Sequence, residues 1–370
     1  MQVDGASIVA GSVYGCGTLP KRGTICYYGG ADVDATVEYV KGRHAANLID
    51  DPAFLANVPV HLFHGQLDEV ITRPCMKDVR QQLRNFVPSR LIKVIFNTSA
   101  THVWSVDHGT CKCGACGWTG TPLCCDVNNC AYDLSGDILR HIYEPKQVIK
   151  PRTAAVEDNL FWVNQTAWIP AWTPDATFSP TGAAFMKWGL LYVPTNCYGA
   201  KLASCRVHVN YHGCTKKLYP RRKLWAHNLD LNEYGEANDI IFFYPQAAGN
   251  KTTTGVRVCL FATSAYDFAF CSLVAPSGLH TQVGCWNWGF PKDDKLWDTR
   301  QSVQLRTVVN IVDNLDRAFA TAKNYSDAQV THAVAHTSAR TSSILHACTS
   351  MHHSIMKLVR PLVPGARAHT

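Results

Sequence analysis

No Gly-x-Ser-x-Gly turn occurs anywhere in the 370 residues, so the usual signature of a strained strand-to-helix nucleophile turn is absent. Charge is scarce too: 17% of residues are Asp, Glu, Lys or Arg, against roughly a quarter in an average soluble protein. No apolar run reaches the roughly 18 residues of a membrane-spanning helix, which removes a membrane partner of that kind. The first residues, Met1-Gln2-Val3-Asp4-Gly5, lack the basic and apolar regions of an export signal. There is no internal repeat. No stripe of Lys and Arg interleaves with aromatics in the body of the chain, so a nucleic-acid partner is not expected. The net charge of +7 does not change this, because Arg340, Lys357, Arg360 and Arg367 supply four of those charges in an acid-free stretch from 331 to 370.

Cysteine, by contrast, is abundant. Sixteen residues are unusual for a cytosolic chain and ordinary for a secreted one stapled by disulfides. With no export signal, that abundance leads us to expect a chain that starts late. Cys111, Cys113, Cys116, Cys124, Cys125 and Cys130 crowd one loop, with His108 nearby. They suit either disulfides or zinc, but the paired C-x2-C knuckles of a structural zinc site are missing. Disulfides are therefore expected and no metal, with a zinc-stabilised structural protein as the alternative. Cys197 and Cys205 bracket a short loop and form a plausible pair.

The hydrophobic pattern alternates strand and helix, which argues for an α/β fold. Ala6–Gly11 reads as a short strand of small apolar residues, Val58–Phe63 and Leu91–Phe96 as buried strands of a parallel sheet, and Val33–Lys41 and Met76–Phe86 as helices. Met186–Val193, Cys205–Tyr211 and Asp239–Tyr244 read as three further strands, and Thr299–Phe319 as one amphipathic helix. Residues 326–370, rich in Ser, Thr, Ala and His, read as a weakly structured basic tail, leaving 1–325 as one domain.

Three short pieces carry the chemistry. Asp68, in His64-Gly65-Gln66-Leu67-Asp68, follows one apolar run, and His102, in Ala100-Thr101-His102-Val103-Trp104, follows the next. A carboxylate just past a buried strand is placed to orient an imidazole, as in an acyl-transfer triad; the plainer reading of Asp68 is a turn cap, and of His102 a structural histidine. His212-Gly213-Cys214 ends a third apolar strand, where a tight Gly turn lets backbone N–H groups face a developing oxyanion. The plainer reading there is a strand-ending turn with a buried cysteine. In an ordinary α/β-hydrolase the oxyanion turn precedes the Asp and His. Here it follows them, as circular permutation would produce.

Together with Gly11-Ser12-Val13-Tyr14-Gly15-Cys16, Asn128-Asn129-Cys130-Ala131-Tyr132-Asp133, Tyr244-Pro245-Gln246 and Gly284-Cys285-Trp286-Asn287-Trp288, these pieces resemble the extracellular poly(3-hydroxybutyrate) depolymerases of the single-domain, circularly permuted type. The likeness runs in order over residues 5–320. It implies a permuted α/β-hydrolase fold, cleavage of a polyester by a Ser-His-Asp triad, no cofactor, secretion, and a monomer whose partner is the ester substrate. By resemblance Asp68 and His102 take the triad roles, Cys214 gives an oxyanion N–H, and Trp286 lies beside the polymer-binding crevice with Trp288 next to it. Trp162, Trp168, Trp172 and Trp188 suit either that groove or the core.

The nucleophile is the departure. The family's elbow falls just before the segment where this chain begins, and Ser12 lacks the flanking glycines. Ser338 follows a stretch faintly like an elbow lead-in, but His336 and Arg340 stand where glycines belong. The expectation is a chain without its catalytic serine, inactive as it stands; a polymer-binding module without activity is the alternative.

Overall fold

The computed structural model describes residues 3–114, 126–144, 146–171, 185–213, 225–247, 258–260, 270–272, 286 and 296–323. The chain divides into two units, Met1–Asn324 and Tyr325–Thr370; the whole basic tail, with Ser338, lies outside the described residues.

The architecture is α/β. Strands β1 (Ala6–Val9), β2 (Val60–Gly65) and β3 (Ile92–Thr98) form a parallel sheet in that order. Every residue of β2 is buried, as a central parallel strand covered on both faces requires. Helices α1 (Arg22–Tyr28), α2 (Val33–Ala45) and α3 (Arg73–Leu83) fall between these strands. Met76 and Val79 of α3 pack with Leu62, Val13 and Cys26 into one core.

A pair of short parallel strands follows, β4 (Trp104–Val106) with β5 (Val127–Asn129), and then α4 (Leu134–Tyr143), capped by the Asp133 carboxylate on the Gly136 N–H. The second half holds β6 (Leu160–Asn164), β7 (Trp188–Tyr192), β8 (Arg206–Val209) and β9 (Ile240–Tyr244), in spatial order β6-β7-β9-β8. Only β8 and β9 are parallel there; β6-β7 and β7-β9 are antiparallel. Helix α5 (Leu231–Asn238) leads into β9, and α6 (Val303–Asp313) and α7 (Leu315–Ala320) complete the second core with Val163, Leu191, Ile241 and Phe243.

Two expectations change. In place of one mostly parallel central sheet, the described residues give a wholly parallel three-stranded sheet and a four-stranded one in which β8-β9 alone is parallel. The helix over 299–319 is two helices, because Asn314 leaves helical geometry with φ −126° and caps both pieces.

Cys16–Cys26, Cys113–Cys130 and Cys197–Cys205 are disulfides, and Cys111 is disulfide-bonded as well. Cys111, Cys113 and Cys130 are thus unavailable to zinc, which removes the zinc alternative for the described part of that loop. Replacing both Cys197 and Cys205 by Ala is expected to lower stability by about 2–3 kcal/mol, the loop-closure entropy of so short a loop; urea unfolding checks this.

One polar knot joins residues as far apart as Tyr14 and Asp298. The Asp298 carboxylate accepts from the Tyr39 hydroxyl at 2.6 Å, the Tyr14 hydroxyl at 3.1 Å and Arg43 Nη2 at 3.0 Å. Its side chain is fully buried, so these partners offset the desolvation of the charge.

Burial also sets a pH response. The His208 ring packs against Phe242 and Tyr143, and desolvation pushes its pKa down to about 4. The unfolded chain then binds the extra proton between about 4 and the ordinary value near 6.5. Stability from this residue is complete above that window and lost as pH falls through it. A series of urea midpoints from pH 7 to 4.5 should fall less steeply for His208→Phe than for the parent.

Candidate active site

The C-terminal ends of β2 and β3 build the site. After Gly65 the chain turns: Gln66 N–H donates to Thr98 O at 2.7 Å and Leu67 N–H to Ala100 O at 2.9 Å. This turn lies so close to the loop after β3 that a Cβ on Gly65 would collide with the Ala100 carbonyl and stand 2.8 Å from that of Thr101. The glycine is what lets the Asp68 and His102 loops approach.

Asp68 is buried, with a side chain 1% exposed. One carboxylate oxygen, Oδ1, accepts from the backbone N–H groups of Val70 (2.9 Å) and Ile71 (3.0 Å). The other, Oδ2, lies 2.9 Å from His102 Nδ1. An ionised carboxylate only accepts, so His102 carries its proton on Nδ1 and presents Nε2 as an acceptor. The His102 side chain is 41% exposed, so that nitrogen is open to an incoming group. A part-exposed imidazole oriented by a buried carboxylate is an arrangement able to take up and return a proton. Among the described residues, no serine is hydrogen-bonded to His102.

His64, in the same segment, is a structural neighbour. Its Nε2 lies 2.8 Å from Ile71 O, and its ring meets Phe96 edge-on. Burial lowers its pKa, keeping it neutral beside the Asp68 turn.

The end of β8 carries the turn that the sequence analysis singles out for oxyanion contacts. The Ala247 N–H donates to His212 Nε2 at 3.1 Å, so His212 is protonated on Nδ1, which lies 2.6 Å from Gly213 O. Trp286 caps this turn: its indole N–H donates to His212 O at 3.0 Å, and its ring meets Tyr211, His212 and Phe185 at 5.1–5.7 Å. The indole is therefore pinned to the strand end the sequence assigns to the oxyanion turn. Cys214 and Trp288 lie outside the described residues, as does Trp172. Trp162 is 6% exposed within β6, and Trp168 is partly buried against the second core.

Sequence reasoning missed two clusters that involve histidines. His108 pairs with Asp230 at 2.8 Å, and Asp107 lies close enough for the three to hold a metal ion. Arg152 occupies that position instead, 2.7 Å from Asp107 Oδ1 and 3.6 Å from Asp230 Oδ2. The other is Ser7, His61 and Asp137, brought together from β1, β2 and α4. Their sequence separations of 54 and 76 residues leave no local signal.

No protein-family model matches the chain. A poly(3-hydroxybutyrate) depolymerase of Delftia acidovorans is 27% identical over 255 residues, 68% of this chain and 48% of that protein. A polyhydroxybutyrate depolymerase of Talaromyces funiculosus is 24% identical over 284 residues, 77% of this chain and 74% of that protein. The chain thus spans about half the length of the bacterial relative (48%). Two solved structures share the fold, each with a TM-score of 0.64 at 22% identity, covering 84% of this chain and 86% of theirs. One is a PHB depolymerase from Penicillium funiculosum; the other is a PHB depolymerase variant complexed with R3HB trimer.

Proposed function

We propose, proceeding from the chain's similarity to poly(3-hydroxybutyrate) depolymerases, that it is a secreted, monomeric, circularly permuted α/β-hydrolase acting on the ester bonds of 3-hydroxybutyrate polymers or oligomers. The observation that carries this reading is the 2.9 Å His102–Asp68 contact with the carboxylate buried and the imidazole open. In the reaction His102 Nε2 takes the proton of an attacking serine hydroxyl, and a carbonyl carbon of the polyester gains that oxygen. The tetrahedral oxyanion is held by backbone N–H groups of the turn at Cys214. His102 then protonates the departing hydroxybutyrate oxygen, and water repeats the sequence on the acyl-serine. Asp68 fixes the imidazole and stabilises its charge. Trp286 offers an apolar wall for the methylated polyester backbone. No metal or cofactor enters this chemistry.

The attacking serine belongs, on this reading, outside the described residues. That supports a second reading, a module that binds the polymer without cutting it. Incubating the chain with soluble oligomers of (R)-3-hydroxybutyrate and with amorphous polymer granules separates the two. Acid release that is lost in His102→Ala identifies a working hydrolase whose serine lies among the residues not described. Granule binding without release identifies the binding module, and the loss of both rejects the polyester reading.

A further inference from the structure

We propose that Ser7, His61 and Asp137 form a second, independent hydroxyl-activating site, with Ser7 as an acyl acceptor for small activated esters. Ser7 Oγ lies 3.3 Å from His61 Nδ1, and His61 Nε2 lies 3.0 Å from Asp137 Oδ2. Ser7 and His61 are register partners on β1 and β2, so both side chains leave the same face of the sheet, where α4 brings Asp137. The imidazole is fully buried.

The proton positions follow from the partners. Asp137 also accepts from Lys93 Nζ on Oδ1 and from the Tyr132 hydroxyl at 2.6 Å on Oδ2, and these partners hold its carboxyl well below the usual range. An ionised carboxylate accepts only, so His61 Nε2 carries the proton and Nδ1 offers its lone pair to the Ser7 hydroxyl. Burial lowers the His61 pKa, and the nearby Lys93 and His141 act in the same direction. The ring is therefore neutral at pH 7, the state a general base needs. The ring is used the other way round from His102, with the carboxylate on Nε2 and the hydroxyl on Nδ1.

Access and charge stabilisation come from the strand edge. Ala6 N–H and Ala10 N–H donate to Pro59 O and Phe63 O, so the alternate residues Ser7 and Val9 turn their backbone groups away from β2. β1 has no partner on that side among the described residues. Among the described residues no acceptor meets the Ser7 N–H, which stands beside its hydroxyl as an oxyanion donor should, and Ser7 is itself only partly buried.

In the proposed step the Ser7 Oγ–acyl carbon bond forms while the hydroxyl proton passes to His61 Nδ1. The alkoxide leaving group then departs with that proton, leaving acyl-Ser7 for water to cleave. A fluorophosphonate reports the first half, since Oγ bonds phosphorus as fluoride leaves.

The test is to treat the full chain with a fluorophosphonate and with p-nitrophenyl acetate, and to map the modified peptides by mass. Adducts on the peptide holding Ser7 are expected. They should persist in His102→Ala and Asp68→Asn, which separates this site from the proposed depolymerase site, and vanish in Ser7→Ala. Labelling in Asp137→Asn should slow at least tenfold while the melting curve still shows a cooperative transition. A folded parent chain that leaves Ser7 unmodified overturns the proposal, as does modification of Ser7 at an unchanged rate in His61→Gln.

Discussion

Asp68→Asn is expected to reverse the tautomer of His102. The Asn carbonyl keeps the Val70 and Ile71 N–H bonds now made by Oδ1, so its amide N–H₂ takes the Oδ2 position facing His102 Nδ1. A donor there forces Nδ1 to accept and moves the ring proton to Nε2. The nitrogen open to solvent then has no lone pair for an attacking hydroxyl. Long-range nitrogen–proton NMR on labelled His102 reads this directly, and a Nδ1–H tautomer in the variant would contradict it. Any ester hydrolysis that passes through His102 should fall by roughly 10³–10⁴-fold, the scale of a triad whose imidazole is held in the wrong tautomer. Stability should change little, because shape and hydrogen-bond count are kept.

The second large effect belongs to Gly65→Ala. The added methyl has nowhere to go, since the obstacles are backbone carbonyls of Ala100 and Thr101 and not the tip of a flexible side chain. Relief requires the loop after β3 to move away from the end of β2, and that loop carries His102. Overpacking of this kind costs about 2–3 kcal/mol, visible as a lower urea midpoint. The same movement should break the His102–Asp68 contact, so that the His102 imidazole loses the carboxylate that fixes its tautomer even where the variant remains folded. A Gly65→Ala protein with unchanged stability and an intact His102–Asp68 hydrogen bond would refute the argument.

The residues of that contact were legible because each follows its own apolar run. A buried strand that ends in polar residues advertises the edge of the sheet, where α/β folds put their chemistry. Val60–Gly65 and Ile92–Thr98 are such runs, and the 34 positions from Asp68 to His102 hold one α-helix and one strand. The Cys197–Cys205 pair was legible for a related reason: a short loop leaves its ends little choice of partner.

What hydrophobic pattern does not encode is which side of a strand finds a neighbour. Val207 and Val209 of β8 look like any buried strand residues, and nothing local tells that, among the described residues, β8 pairs with β9 alone. Nor does it encode polar contacts made across long separations. His61 reads as one more member of the run before Asp68, yet its partners come from β1 and α4. Trp162 shows the converse: its ring suits a groove by composition, but its place in β6, paired to Leu190 of β7, commits it to the interior.

The Asp298 knot has a kinetic meaning. Arg43 and Asp298 are separated by 255 positions, so the first sheet and its helices cannot reach their final arrangement until nearly all of the 1–324 unit has been made. At the roughly 5–20 residues per second of chain synthesis, α2 waits on the order of 10–50 s for its charged partner. Through that interval Arg43 and two tyrosines face water where a buried carboxylate will later sit. Such a high sequence separation also slows refolding of the finished chain. Recovery of the protein after dilution from denaturant should therefore depend more on protein concentration and temperature than its final stability would suggest.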